Sequence, residues 1–445
     1  MIQRCNRRTA IKAVGVGILG ATMGIGSSSA SEQGDGRMVY IGTEDNHVRA
    51  LDAEDGSEQW SFEIGNRVAA PLTAFDDGTV YAGGSSSTET VFAIDAREGE
   101  KRWAVSTEQE VRSRPTVVDG TVYVGDEDGI LYAIDAEDGE ITWTAETGDV
   151  IRSSPTVSSG TVYVGSDDTK LYAIDVETGS EEWTFEADAP IRTTPTVGTT
   201  TIYIGSDDGY VYAITPRGTE RWRFETDSRV RSSPAVNDGR VFAGSADDML
   251  YAIDQTDGEE IWEYSALDSI RSSVSAINGT VYVGSDNGDL HAVSAADGDG
   301  EWTFSTSSLV RSSPVIVDGT VYVGSDIESV FAIDAEAGAE IWEAELPGPI
   351  RTTPTVGSLS SENGEPENGG EESENGGSNG ENGDNGDDDQ DEDNNDEDDD
   401  VEESGENESD REVVFEMPGF GVGSTLVSLG VVSYLLRNRL DDETS

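Results

Sequence analysis

The stretch RSRPTVVDGTVYVGDEDGILYAIDAEDGEITW, Arg112 to Trp143, decides the fold. It contains four short runs rich in Val, Ile, Tyr and Trp, separated by turns rich in Asp and Gly. Runs of this kind read as short antiparallel strands joined by hairpins. The phrase recurs along the chain, and its tryptophans mark the period. Trp60, Trp103, Trp143, Trp183, Trp222, Trp262, Trp302 and Trp342 are 43, 40, 40, 39, 40, 40 and 40 residues apart. A tandem array with this period and four strands per unit describes the blades of a propeller.

Counting the runs gives the number of blades. The VYVG-like, LYAID-like and Trp-containing runs each occur eight times, and so does the P-x-V run if Val274 stands in one Pro place. An all-β, eight-bladed propeller of 32 strands in four-stranded antiparallel blades is therefore expected over residues 38–357. The first blade begins at Val39 to Gly42 without an RSSPTV run of its own, while Trp342 is followed by an orphan RTTPTV, Arg351 to Val356. These ends are expected to complete one blade between them, which leaves no open sheet edge.

Register follows from the turns. A two-residue turn at Asp119-Gly120 sets Val118 opposite Thr121, and counting outward sets Arg112 opposite Glu127. The same count pairs Arg152 with Asp167, Arg192 with Asp207, Arg271 with Asp286, Arg311 with Asp326 and, across the seam, Arg351 with Glu44. In the odd repeat PLTAFDDG it sets Val68 opposite Ser85. Arg231 falls opposite Ala246, with Asp247 as the expected substitute partner. These seven arginines form a candidate axial ring. One reading is an anion-binding mouth, in which Arg231, as the least paired, matters most. The plainer reading is register, each guanidinium being neutralised by a cross-strand acid in pairs worth only about 0.2–1 kcal/mol when exposed.

The recurring Trp reads as a packing device rather than a sugar platform, because it stands at one place in every unit. The phrase LYAIDAEDGEITW, with Ala133, Asp135, Gly139 and Trp143, resembles the tryptophan-docking repeat of pyrroloquinoline-quinone propellers over residues 38–357. That resemblance implies the fold. For chemistry it implies two directions, since the superfamily contains quinone-dependent alcohol dehydrogenases and also a non-enzymatic outer-membrane assembly lipoprotein.

A quinone site, on that resemblance, would bring an adjacent cysteine pair, a calcium-binding set and inserted loops. The sole cysteine is Cys5, and the connections are short hairpins. The Asp-rich turns lack the length and terminal Glu of a twelve-residue calcium loop and read as turn chemistry. His47 and His291 lie in different repeats without metal or nucleophile spacing. No catalytic residue, metal or cofactor is expected, although the fold would admit the quinone. A surface-anchored binding or scaffold module for a protein or extracellular ligand is the expectation, with a quinone-dependent oxidoreductase facing the exterior as the alternative.

The flanks give a location. Residues 1–30 read as a secretory leader: basic residues, an apolar run and a small-residue exit at Ser28-Ser29-Ala30. Arg7-Arg8 resembles a twin-arginine signal, which implies the folded-protein export machinery. Residues 358–416 form an acidic stalk, with 24 Asp and Glu and no Lys or Arg from Glu362 to Asp410. Phe420 to Leu436 is uncharged and 17 residues long, just enough to span a bilayer, and Arg437 and Arg439 follow it. Pro418-Gly419-Phe420 resembles the PGF sorting signal of archaeal surface proteins, within 417–439 and ahead of a short tail, 440–445. That resemblance implies cleavage by an archaeosortase and a lipid anchor in place of the helix.

Net charge is −64 with a pI near 4.1. Such a surface stays hydrated in molar salt and disfavours nucleic acid as a partner, and a halophilic archaeon is the expected source. Asn278 and Asn407 head N-x-[ST] glycosylation sequons.

Overall fold

A computed structural model describes residues 36–358, apart from residues 66, 69, 76, 86 and 87. The leader with Arg7 and Arg8, the stalk with Asn407, and the segment with Pro418, Gly419 and Phe420 lie outside the described residues.

The described residues form 32 strands in eight four-stranded antiparallel sheets. A representative blade is Thr116–Val118, Thr121–Gly125, Ile130–Asp135 and Ile141–Glu146, in sequential order across the sheet. Its first hairpin closes through Asp119 and Gly120, whose φ values of 49° and 76° are those of a type I′ turn. The expected register holds: Val118 pairs with Thr121, Val117 with Val122 and Thr116 with Tyr123.

The ring closes as the repeat count requires. The Thr355–Ser358 strand pairs antiparallel with Arg37–Gly42, with Val39 opposite Val356 and Tyr40 opposite Thr355. Thr352 Oγ1 donates to Gly42 O at 2.8 Å, and Val39, Ile41 and Leu51 share one apolar cluster with Val315, Tyr322, Trp342 and Ile350. First and last sequence segments thus belong to one core.

Each tryptophan docks one blade onto the next. Trp103 Nε1 donates to Ala136 O at 2.9 Å, Trp143 to Val176 O at 2.9 Å, and Trp342 crosses the seam to Ala53 O at 3.0 Å. The indole also lies against an aromatic ring of its own blade, a tyrosine except for Phe242 at Trp262, as Trp143 does against Tyr123 with ring centres 5.8 Å apart. Its face is pressed on a glycine of the neighbour, such as Gly139 beneath Trp103. A repeat that buries its apolar face only against its neighbours needs such a joint, because no blade has a core of its own.

The first strand of each blade is innermost, and these short strands touch one another around the axis. Hydroxyls tie them: Thr73 Oγ1 donates to Pro115 O, Thr156 Oγ1 to Pro195 O and Ser275 Oγ to Pro314 O, at 2.5, 2.7 and 2.6 Å.

Candidate functional site

The seven arginines precede the innermost strands and stand at one mouth of the axial channel. Several carry the partner expected from register. Arg112 Nε meets Glu127 at 2.8 Å, Arg192 Nη1 meets Asp207 at 2.8 Å, Arg271 Nε meets Asp286 at 3.0 Å, and Arg351 Nη1 meets Glu44 across the seam at 2.8 Å.

The arrangement is more than a set of cross-strand pairs. Arg192 also holds Asp167 of the preceding blade through Nε and Nη2, at 2.7 and 3.0 Å. Arg351 holds Asp326 of its preceding blade at 3.0 Å. One arginine therefore clamps two blades. Asp167 is shared by Arg152 and Arg192, Asp207 by Arg192 and Arg231, and Asp286 by Arg271 and Arg311.

Three expectations are corrected. Arg231 is not held by Asp247; it grips Asp207 of the preceding blade with Nε and Nη2, both at 2.8 Å. Asp247 instead accepts from Tyr251 Oη and from the Asp227 amide. Arg311 pairs with Asp286 rather than with Asp326, which Arg351 occupies. In the odd repeat Val68 lies opposite Gly84, not Ser85. The physical reasons are two, ladder slip for Val68 and reach between blades for the two arginines. The hairpin ladder runs for only three pairs and then slips, Val111 bridging Asp126 where an unbroken count would set it opposite Asp128, and the long guanidinium reaches across the gap between blades.

Arg152 is thus the least satisfied member, not Arg231. Its Nη1 is 3.5 Å from Asp167 and is buried without a hydrogen bond among the described residues. Burial would raise the Asp207 carboxyl, but the hydrogen bond from Arg231 and the charges of Arg231 and Arg192 hold it below the ordinary carboxylate range. A carboxylate depressed in the folded state contributes stability that is present above its unfolded pKa, about 3.9, and is lost as pH falls through the folded value. The clamp at Asp207 therefore loosens only as pH falls below the ordinary carboxylate range.

A difference between variants follows. Asp207→Asn, which strips two arginines of a nearly buried partner, should cost about 1–3 kcal/mol. Arg152→Ala should cost about 0.5 kcal/mol or less. Denaturant unfolding at fixed salt checks the order, and equal losses would show that the sharing of Asp207 contributes nothing.

Two charged groups that the repeat pattern did not single out are placed inside the protein. Arg49 is buried and paired with Asp45 and, at 3.2 Å, with Glu58. Arg114 stands among the innermost strands, where Nε donates to Thr73 Oγ1 at 3.0 Å and Nη2 to Thr355 Oγ1 at 3.3 Å. The signal for Arg114 was the departure RSRP from the repeated RSSP phrase. His291 is buried against Tyr264, its Nδ1 at 3.1 Å from the phenol, and burial lowers its pKa. His47 Nδ1 lies 2.9 Å from Asp45 O, in another blade. Asn278 is exposed in a turn with Gly279, open to modification.

The cofactor implied by the fold can be tested against these groups. Among the described residues, the arginines at the mouth that would meet an acidic quinone are largely engaged by Asp167, Asp207, Asp286 and Asp326. The cysteine pair has no counterpart in the sequence. The arginine mouth, with its charges engaged, does not fit the quinone.

Comparison with known proteins agrees with the architecture. Curated relatives are the outer membrane protein assembly factor BamB of Yersinia pestis, 30% identical over 104 residues, and that of Salmonella typhimurium strain LT2, 31% identical over 90 residues. The matches take in 22% and 19% of this chain and only 26% and 23% of those proteins. Among solved structures, BamB from Moraxella catarrhalis superposes with a TM-score of 0.55 at 21% identity, covering 63% of this chain and 89% of that one. The computationally designed Ika8 protein gives 0.58 at 17% identity over 64% and 90%. Quinohemoprotein alcohol dehydrogenase from Comamonas testosteroni gives 0.55 at 16% identity over 65% and 68%. At these identities the likeness is one of fold. A family model described as outer membrane protein assembly factor BamB matches residues 44–183, 148–217, 195–313 and 302–359, and on that span the chain belongs to this family of PQQ-like repeat propellers.

Proposed function

We propose that the protein is a non-enzymatic propeller, exported and held at the cell surface, that binds a protein partner through its rigid faces. The observation that carries this reading is the Asp-shared arginine ring. Its charges are spent on locking neighbouring blades, which suits a rigid scaffold better than a reactive pocket. Membership of a family described as an assembly factor supports a protein partner. The leader and the apolar segment at 420–436 support export and anchoring, with the acidic stalk as spacer. Arg7-Arg8 and Pro418-Gly419-Phe420 support twin-arginine export and archaeosortase processing, and the acidic composition supports a halophilic archaeal source.

The second reading, a quinone-dependent oxidoreductase, draws on the fold shared with the Comamonas enzyme. The two separate cleanly when purified protein is incubated with pyrroloquinoline quinone and calcium. The scaffold reading predicts no stoichiometric cofactor absorbance and no dye reduction; a stoichiometric signal with turnover overturns it. Anchoring has its own test in the mass of the mature C-terminus, where an intact Ser445 contradicts cleavage.

A further inference from the structure

In the RSSP phrase the third residue of each unit stands just ahead of the innermost strand, and in most units it is a small hydroxyl: Ser154, Thr194, Ser233, Ser273, Ser313 and Thr353. Arg114 takes that place in one unit. It spans three innermost strands, its backbone N–H donating to Ser154 Oγ at 3.1 Å while its guanidinium reaches Thr73 and, from the closing strand, Thr355.

The guanidinium has no acidic partner among the described residues, in a chain with 91 Asp and Glu against 27 Lys and Arg. Its two hydroxyl partners offer only lone pairs, because Thr73 Oγ1 already donates to Pro115 O and Thr355 Oγ1 to Leu72 O, at 2.5 and 2.6 Å. The side chain is half-buried among the inner strands, and desolvation there pushes its pKa down to about 10, so it remains a cation at neutral pH. A guanidinium has five N–H bonds; with one at Nε and one at Nη2 engaged, three are left, two on Nη1 and one on Nη2. That edge is the fork which grips planar carboxylates and phosphates.

A second, independent feature points the same way. Ser154, Ser233 and Ser313 each accept a backbone N–H through Oγ, from Arg114, Thr194 and Ser273, at 3.1, 2.9 and 2.9 Å. None of these hydroxyls donates to a protein acceptor among the described residues. The channel therefore presents uncommitted hydroxyl protons around an unpaired cation. Every unsatisfied group there asks for lone pairs and negative charge.

We propose that Arg114 is the anchor of an oxyanion site inside the axial channel, taking a single carboxylate or phosphate group. The site is distinct from the arginines of the mouth, whose charges the aspartates largely neutralise. It stands whether the propeller is a scaffold or an enzyme.

Titration calorimetry of the full chain at fixed ionic strength, with inorganic phosphate in one series and acetate in another, tests this. One site per chain is expected for at least one anion, and the stronger of the two names the group preferred. Arg114→Ser installs the residue of the other units, and Arg114→Gln keeps amide hydrogen bonds without charge. Both should weaken binding on the order of tenfold or more, whereas Arg152→Ala at the mouth should leave it unchanged. No binding of either anion to the parent protein overturns the proposal. So does undiminished binding by Arg114→Gln, or an equal loss in Arg152→Ala.

Discussion

Deleting residues 351–358 should abolish the single cooperative unfolding transition and leave a chain that associates. The strand Thr355–Ser358 supplies the inner edge of the blade that begins the array, and four residue pairs join it to Arg37–Gly42. With it go both hydrogen bonds between Thr352 and Gly42, the Thr355 bond to Leu72 O, and the Arg351 clamp on Glu44 and Asp326. At about 0.5–1.5 kcal/mol per hydrogen bond, the loss is on the order of 5 kcal/mol, comparable with the whole stability of many domains. The truncated ring would also present the unpaired edge of Arg37–Gly42, which templates association. Thermal unfolding followed by size-exclusion chromatography reads both consequences. A monomer with unchanged melting behaviour would mean that the seam is not a structural joint.

The second large effect is expected at Gly139. Its φ is +78°, and an added Cβ would lie 2.9 Å from the Trp103 ring. Gly120, on the same blade, has φ +76° and nothing within 4 Å of the same added atom. Gly120→Ala should thus report only the backbone penalty, about 1–2 kcal/mol. Gly139→Ala should carry that penalty plus displacement of the indole from its dock and from its hydrogen bond to Ala136 O. Overpacking adds about 1–3 kcal/mol. The difference between the two substitutions, measured by denaturant unfolding, isolates the contribution of one inter-blade joint. Equal costs would show that the tryptophan tolerates a shift and that blades are held by something else.

How much of this was legible in the chain follows from where repetition carries information. Eight equal phrases give eight blades, and Asp119-Gly120 fixes its hairpin because only one turn type accommodates two positive φ values between antiparallel strands. The seam was legible for the same reason: a run was missing at one end and left over at the other. The partners of Arg231 and Arg311 were not. Register counting follows a single sheet, whereas these side chains leave their own sheet for the aspartate of the preceding one. Nothing in a one-dimensional period says how near two blades approach. The Val68 register failed because a longer turn in that repeat moves the count before the ladder slips. Arg114 was visible as an exception to its phrase, but its meaning needed the axis, since only three inner strands together show that no acid accompanies it.

A cross-link shows most simply whether the two ends of the array form one sheet. Val39 and Val356 are directly paired across the seam, so their side chains lie on one face within disulfide reach. In a Cys5→Ser background, Val39→Cys with Val356→Cys should oxidise to an intrachain disulfide, migrating as a compact monomer that either single cysteine variant fails to give. Free thiols after oxidation, or links formed only between chains, would contradict the closed ring.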